Sequence, residues 1–332
     1  MRRFNRMLLA LLTLVLAGIA AAPAGAARIT VPAALLAESG DLQELVIDYK
    51  ATLPGVDSQA FVQPTPAEAD TVVAAAQAAR AGDLAGAAAT LDPLGYDLVV
   101  YQDTGGSGEH LILRERVPCA RCWGLYVLSR APAACNVLVE VPHPLFDVNT
   151  PELGIEAYVR SGAGAFLMAG THRYANGRNS LVSDMARNPS SVFQRLHQAL
   201  SNPGTHALNY HGFAQPDPPY PAVVLSSGSR QAHPELFALQ AALQAHGESA
   251  GVYEGVLYPD LAGGVNPQGQ YTRAIGGRFY HMEHERALRQ SPTRRSNAVS
   301  ALLAMLGTAP SCPSRPQRAA AHTPVGISGM ES

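Results

Sequence analysis

The sequence of 332 residues predicts an α/β fold, in which a mixed, mostly parallel sheet is flanked by helices and preceded by a small N-terminal helical region. Two observations lead to this prediction. Beyond residue 95, short runs of β-branched and aromatic residues alternate with helical patterns of about ten residues, which is typical of βαβ units. Before that point the chain is rich in alanine and reads as helices.

The first segment of the chain has the composition of a signal peptide. Three arginines precede an apolar run over 7–22, and 24–26 provides the small residues of a cleavage site. We therefore predict that 1–26 is removed and that the mature protein is periplasmic or secreted. No other stretch reaches the ~20 apolar residues that cross a bilayer, so no stable membrane span is expected after cleavage.

The N-terminal helical region is assigned to 27–94. Thr65, followed by a proline and by Glu68, has the pattern of a helix start with an N-cap and a capping box. The helix is expected to break at Gly82, and a second short helix is expected to run to about Leu91. No cluster of chemically active residues accompanies these helices, so packing or contact with a partner is their predicted role.

The α/β domain is assigned to 95–308. It opens with the strands YDLVVYQ and HLILRER, which the Gly-rich hairpin connection TGGSGE joins, followed by the strands WGLYVLSR and NVLVEV. The later elements are, in chain order, a helix near 151–161, strand AFLMAG, helix SSVFQRLHQAL, strands HALNYHG and AVVLSS, helix PELFALQAALQAHG, strands AGVYEG and GRFYHME, and helix RSNAVSALLAML. Residues 309–332 lack periodicity and are predicted to form a disordered tail.

The four cysteines are Cys119, Cys122, Cys135 and Cys312. The spacing of the first two suits a redox or zinc pair, but there is no second pair to complete a four-cysteine zinc site. In an oxidising compartment we expect one or two structural disulfides rather than free thiols. The pairing stays open.

Several predicted strands end in side chains that can ligate a metal or move a proton. These are His143, His172 with Arg173, His211 and Glu283. Ligands of α/β sheets bind at the carboxyl ends of the strands, so we expect these side chains to face one cleft.

His143 and His211 are the predicted histidine ligands of a zinc ion. Catalytic zinc commonly takes two histidines and one carboxylate and keeps a position open for water. Asp147, in the same loop as His143, and Glu156, in the following helix, are rivals for the third ligand. Glu140 is a further candidate, because it precedes His143 by only three residues.

Glu283 is the predicted general base, since it lies on the final strand and can face the cleft. The competing interpretation is that HMEHER is a charged strand edge, and this is the assignment for His284 and Glu285. A single histidine at a strand end is also more often structural than ligating. The remaining arginines near the predicted cleft are assigned to the surface: Arg187, Arg195, Arg286 and Arg289.

The order of these motifs resembles that of zinc-dependent N-acetylmuramoyl-L-alanine amidases of the amidase type 3 family, whose fold is shared with zinc carboxypeptidases. The motifs that carry the resemblance, over about 135 to 305, are VEVPHP, Glu156 in LGIEAYV, AGTHR, LNYHG and FYHME. The Gly-rich loop that follows the first histidine in that family is replaced by HPLFD. A histidine followed closely by an acid is nearer to carboxypeptidases and N-formylglutamate deformylases.

The resemblance implies a phosphorylase/hydrolase-like fold and an exported zinc-dependent hydrolase that cleaves an amide bond. The substrate would be a cell-wall peptide or an acyl-amino acid, with Arg173 pairing with a substrate carboxylate. A carboxypeptidase or deformylase type of enzyme is one alternative, and a non-catalytic exported binding protein with this fold is another. With 24 basic and 26 acidic residues nearly in balance, no nucleic-acid partner is expected.

Overall fold

The computed structural model describes residues 34–307. The predicted signal peptide, the predicted disordered tail and Cys312 lie outside the described residues. Among residues 34–307, none of the helices combines the length and the apolar composition that a bilayer crossing needs.

The core of the fold is one sheet of ten strands in the order β1-β2-β3-β4-β6-β5-β7-β10-β8-β9. The strands are β1 (Leu35–Gly40), β2 (Tyr96–Asp103), β3 (Gly108–Glu115), β4 (Leu125–Ser129), β5 (Ala134–Val141), β6 (Ala163–Met168), β7 (His206–Phe213), β8 (Val223–Ser226), β9 (Ala250–Val252) and β10 (Arg278–Glu285). The central run β6-β5-β7-β10 is parallel throughout, whereas β3, β4 and β8 pair antiparallel with their neighbours toward the centre of the sheet. The predicted mixed, mostly parallel α/β sheet is confirmed.

Helices cover both faces of this sheet. They are α1 (Leu42–Lys50), α2 (Pro66–Ala81), α3 (Leu84–Leu91), α4 (Thr150–Ser161), α5 (Val192–Leu200), α6 (Pro234–Ala245), α7 (Pro267–Ala274), α8 (Arg286–Gln290) and α9 (Pro292–Leu306). Strand side chains alternate between two cores. Val139 packs with α1, α4, α6 and α9 on one face, and Leu138 packs with α2, α3 and α5 on the other.

The N-terminal region begins with a strand that the sequence did not predict. β1 pairs in parallel with β2 at the edge of the sheet. Its sequence LLAESG has a mixed polar and apolar pattern without β-branched residues, so its strand character depends on the neighbouring strand. The helix start at Thr65 is confirmed, because its hydroxyl and the Glu68 carboxylate form the reciprocal capping box. Gly82, in the left-handed conformation with φ of 102°, ends α2 as predicted.

An irregular segment between α1 and α2 supports a loop at the carboxyl edge of the sheet. The His172 N–H donates to the Pro54 carbonyl at 3.1 Å, and the Asp57 N–H donates to the Tyr174 carbonyl at 3.0 Å. The Gln59 N–H binds the carbonyl of the residue after Tyr174 at 2.8 Å. The N-terminal region therefore holds the backbone of the loop that carries Arg173.

The three cysteines within residues 34–307 are disulfide-bonded, in agreement with the expected structural disulfides. Cys119 and Cys122 are bonded to each other in the connection between β3 and β4, and Cys135 is also disulfide-bonded. The buried carboxylate of Glu115 accepts hydrogen bonds from the backbone N–H groups of Arg121, Cys122 and Trp123. This connection is thus held by a carboxylate as well as by the disulfide.

Candidate metal centre

Three predicted site residues meet at the carboxyl edge of β5 and β7. His143 follows β5, His211 lies on the neighbouring parallel strand β7, and a turn from His143 brings the Asp147 carboxylate over both imidazoles. Asp147 Oδ2 lies 3.0 Å from His143 Nδ1 and 3.2 Å from His211 Nδ1. All three side chains are buried.

The donor atoms of this group match a zinc site. One ligand atom from each of His143, Asp147 and His211 lies within 4.8 Å of the others. Two imidazole nitrogens and one carboxylate oxygen are the three protein ligands found in many catalytic zinc sites. The residues present therefore fit the ion that the motif order implies.

The other nitrogen of each imidazole already has a partner. His143 Nε2 contacts Asp184 Oδ1 at 2.8 Å, and His211 Nε2 contacts Asn209 Oδ1 at 2.6 Å. Such partners hold the proton on Nε2 and leave the Nδ1 lone pair for a metal, as is usual for ligating histidines. The sequence analysis did not identify either Asp184 or Asn209.

The opposite charges of the histidines and acids in this cluster shift one another's pKa values. Burial alone would lower the pKa of His143, but the carboxylates of Asp184 and Asp147 outweigh it and raise this pKa to about 8. Burial would raise the pKa of Asp184, but His143 and Arg173 lower it to about 2. The pKa of Asp147 is also held below its usual value, because the two histidines outweigh burial. The positive charge of a protonated His143 ring is thus favoured between the two carboxylates.

Glu140 belongs to neither possible ligand group, but it is connected to His211 through hydrogen bonds. Its fully buried carboxylate lies 2.7 Å from His197 Nδ1 and accepts a hydrogen bond from Asn209 Nδ2 at 3.0 Å. His197 Nε2 in turn contacts the Thr272 hydroxyl at 3.1 Å. The chain of contacts from His197 through Glu140 and Asn209 to His211 fixes the orientation of that ring.

The structure does not bring Glu156 to the histidines. Its carboxylate accepts a hydrogen bond from Arg160, one turn later on α4, at 2.7 Å. The reason is geometric: α4 begins at Thr150 and runs back along the sheet, so a residue more than one turn into it lies away from the carboxyl edge. Asp147 lies in the loop before this helix and stays at the edge.

Glu283 lies beside the three-residue group. In the parallel pair β7–β10 it is in register with His211, and its side chain is buried. Its Oε2 atom makes no hydrogen bond within residues 34–307. Burial, followed by the nearby Asp147 carboxylate, raises the pKa of Glu283 to about 8. A buried carboxyl group with one free oxygen and a near-neutral pKa is suited to general acid–base chemistry.

His281, which the sequence analysis did not single out, adds a third imidazole. It precedes Glu283 by two residues on the same strand face, and its ring centroid lies 4.4 Å from that of His211. His211, His281 and Glu283 form a second possible ligand group. The two groups share His211, whose Nε2 atom is engaged by Asn209.

His284 and Glu285 were predicted to belong to a charged strand edge, and the prediction fails for His284. His284 is buried, stacks on Tyr210 with 5.6 Å between ring centroids, and contacts the His211 carbonyl through Nδ1 at 3.2 Å. The surface assignment of His284 is wrong, because alternation places it in the core opposite Glu283. Glu285 pairs with Arg294 at 2.7 Å near the surface, in agreement with its assignment.

Arg173 reaches the centre through Asp184. Its Nη2 atom donates to Asp184 Oδ2, and its guanidinium lies 5.2 Å from the ring centroid of Phe146 and 5.3 Å from that of Tyr174. Its Nε atom is buried without a hydrogen-bond partner in the described part of the chain. His172 accepts a hydrogen bond from the Tyr174 N–H and belongs to neither possible ligand group.

Comparison with known proteins gives structural likenesses only. No family model matches the chain, and no curated protein matches it. A bacteriophage poly-gamma-glutamate hydrolase has 13% identity and a TM-score of 0.38, over 56% of this chain and 89% of that one. N-formylglutamate amidohydrolase from Ralstonia eutropha has 15% identity and a TM-score of 0.36, over 55% and 95%.

A metallo-carboxypeptidase from Burkholderia cenocepacia has 13% identity and a TM-score of 0.36, over 70% of this chain and 68% of that one. Similarities of this size carry no argument about activity. The function of this chain has to be inferred from the geometry of its own centre.

Proposed function

We propose that this chain is an exported zinc-dependent hydrolase that cleaves an amide bond in a cell-wall peptide or an acyl-amino acid. One observation carries the proposal: His143 Nδ1 and His211 Nδ1 converge on a single Asp147 oxygen, and the buried Glu283 carboxyl lies alongside with its Oε2 atom free of hydrogen bonds. Export rests on the leader at 1–26 and stays a prediction.

His143, Asp147 and His211 would hold the zinc ion. When bound, zinc would supply a Lewis acid for the scissile carbonyl and would lower the pKa of water toward neutrality. With zinc bound, Asp184 and Asn209 would hold the remaining proton of each ring on Nε2 and so orient Nδ1 toward the ion.

Glu283 is proposed to move the proton. Its Oε2 atom is free of protein partners and can accept the proton of the attacking water, then return it to the leaving amine. Burial alone would keep this carboxyl protonated, and a cation beside it would favour the carboxylate that a base requires. The same side chain can then serve both halves of the reaction.

The position of Asp147 favours substrates with a free carboxylate. An acid that follows the first histidine closely is nearer to carboxypeptidases and deformylases than to the amidases. Arg173 shares Asp184 with His143, so a carboxylate bound by Arg173 would lie next to the zinc ligands. Acyl-amino acids and peptides with a carboxyl terminus are therefore the first substrates to assay.

A direct assay tests the proposal. The purified mature chain, loaded with zinc, is incubated with N-acyl-amino acids, with short peptides and with peptidoglycan fragments, and the released amine is measured. Release that depends on zinc and disappears in Glu283→Gln is expected. A zinc-loaded, folded chain that releases no amine from any of these classes contradicts the hydrolase proposal and favours the binding protein.

A further inference from the structure

Arg289 is buried at the carboxyl edge of the sheet, contrary to the surface role that the sequence predicted. It lies on α8, directly after β10, and is 4% exposed. The surface assignment fails because α8 folds over the strand ends instead of projecting into solvent. No carboxylate within residues 34–307 forms an ion pair with its guanidinium.

The guanidinium binds three backbone carbonyls from three different parts of the edge. Nε donates to the His284 carbonyl at 3.0 Å, Nη2 donates to the Phe213 carbonyl at 3.3 Å, and Nη1 donates to the Val148 carbonyl. These three segments are far apart in the sequence and meet only in the folded chain.

Each carbonyl belongs to a neighbour of a residue in the metal centre. Val148 follows Asp147, and His284 follows Glu283. The third carbonyl belongs to the residue two positions after His211. One planar group with a rigid set of donors therefore connects the backbones that carry two proposed zinc ligands and the proposed base.

A glycine makes this contact possible. A Cβ atom placed on Gly212 would lie 2.3 Å from Arg289 Nε and 2.4 Å from its Cζ, closer than real side chains approach. The guanidinium thus rests directly on the backbone next to His211. Since the three carbonyls already hold it, the guanidinium cannot move aside without losing them.

The electrostatic setting explains why a charge is tolerated at this place. Burying a guanidinium without a partner is costly, and carbonyl dipoles offset part of the cost. Burial lowers the pKa of Arg289, and the Asp147 carboxylate opposes this without direct contact. The carbonyls and this carboxylate therefore offset part of the cost of burying the charge.

From these contacts we infer that Arg289 is a positioning residue that sets the spacing between the zinc ligands Asp147 and His211 and the base Glu283. The inference rests on the proposed function. It gives the arginine no contact with substrate and no part in proton transfer.

The test compares Arg289→Lys, Arg289→Ala and Gly212→Ala with a matched control, Arg273→Lys. Arg273 is half-buried and also donates to a backbone carbonyl, that of Ser227, but this carbonyl lies at the carboxyl end of β8, outside the metal centre. Zinc affinity is measured by competition with a chelator, thermal unfolding is followed on the metal-free chains, and kcat and KM are measured separately.

We expect Arg289→Lys and Gly212→Ala to bind zinc ~10 to 100-fold more weakly, the range typical for residues that orient metal ligands. Their kcat should fall more than their KM changes. Guanidinium ion at low millimolar concentration should restore zinc affinity to Arg289→Ala, because the ion can occupy the vacated position. Arg273→Lys should keep wild-type zinc affinity even if its unfolding temperature falls.

Wild-type zinc affinity and kcat in Arg289→Lys and Gly212→Ala would overturn the inference. So would equal losses in Arg273→Lys, or losses that guanidinium does not reverse, since these indicate a general effect on stability. If Arg289→Ala does not fold, the other two variants decide. A wild-type chain that binds no zinc overturns the proposed function instead, whereas an active zinc-bound wild type with unaffected variants overturns only the role of Arg289.

Discussion

Glu283 and His211 lie side by side, in register on the parallel strands β10 and β7, with both side chains at the carboxyl edge of the sheet. One belongs to the histidine–aspartate group, and the other is a buried carboxyl with a free oxygen. Hydrogen bonding between the two strands fixes their separation. The relation between a metal ligand and a general base is thus built into the sheet itself, and it leads to the predictions below.

The third zinc ligand should be Asp147 and not Glu156. Asp147→Asn is expected to weaken zinc binding sharply, because the charged oxygen shared by both histidines is lost. Glu156→Gln is the matched control and should leave zinc affinity unchanged, since its carboxylate binds Arg160. Competition with a chelator measures both. The opposite order of effects would place the ion elsewhere.

Replacing the proposed base should separate chemistry from metal binding. Glu283→Gln is expected to keep zinc and fold while losing at least the ~10² to 10⁴-fold typical of general acid–base catalysis. Glu285→Gln is the control on the same strand and should be nearly silent, because its partner is Arg294. Amine release under saturating substrate is the measurement. An essential Glu285 with a dispensable Glu283 would contradict the assigned role.

Asp184 should act on zinc through His143. Asp184→Asn is expected to weaken zinc binding by ~10 to 100-fold, because His143 Nε2 loses the carboxylate that fixes its proton. Glu248→Gln is the matched control: it also removes a buried carboxylate that pairs with an arginine, Arg294, but far from the ligands. Similar zinc affinities in the two variants would show that Asp184 has no specific effect on the centre.

In the metal-free chain, the contribution of His143 to stability should be lost as the pH rises from about 6.5 to about 8. The pKa of His143 is raised to about 8 in the folded chain, so its stabilising contribution is complete below its unfolded pKa and is lost through about 8. Its loss corresponds to a free energy on the order of 2 kcal/mol. Glu283, whose pKa is also raised to about 8, acts in the same direction, because deprotonating it is unfavourable in the fold.

Denaturant unfolding of the chelator-treated chain across this pH range measures the effect. Zinc should remove or reverse the decline, because ligating histidines bind a metal only when unprotonated and zinc affinity rises with pH. His143→Gln should flatten the profile of the metal-free chain. A wild-type profile between pH 6.5 and 8 that matches the His143→Gln profile would contradict the charge assigned to His143.

The hydrophobic periodicity and the turn residues of the sequence were enough to predict the sheet. Because ligands bind at the carboxyl ends of parallel strands, His143, His211 and Glu283 could be predicted as site residues. The choice between Asp147 and Glu156 needed coordinates, because both acids follow His143 and only the direction of α4 separates them. β1 was missed because its six residues lack a strand pattern and depend on β2 for pairing.

The supporting residues could not be predicted for a different reason. Asp184 lies in an irregular segment 41 residues beyond His143, where periodicity carries no information. Arg289 reads as an ordinary charged helix residue, and only the packing of α8 over the strand ends buries it. Asn209 could have been predicted from the sequence, since it precedes His211 by two positions and therefore lies on the same strand face.

Zinc content tests the central claim most directly. The mature chain is stripped with a chelator, reloaded with zinc, freed of excess ion and analysed for metal, together with His143→Ala and His211→Ala. We predict one zinc per wild-type chain and loss of stoichiometric zinc in both variants, with all three chains folded. Full zinc occupancy in either variant, or a folded wild-type chain that retains no zinc, would contradict this prediction.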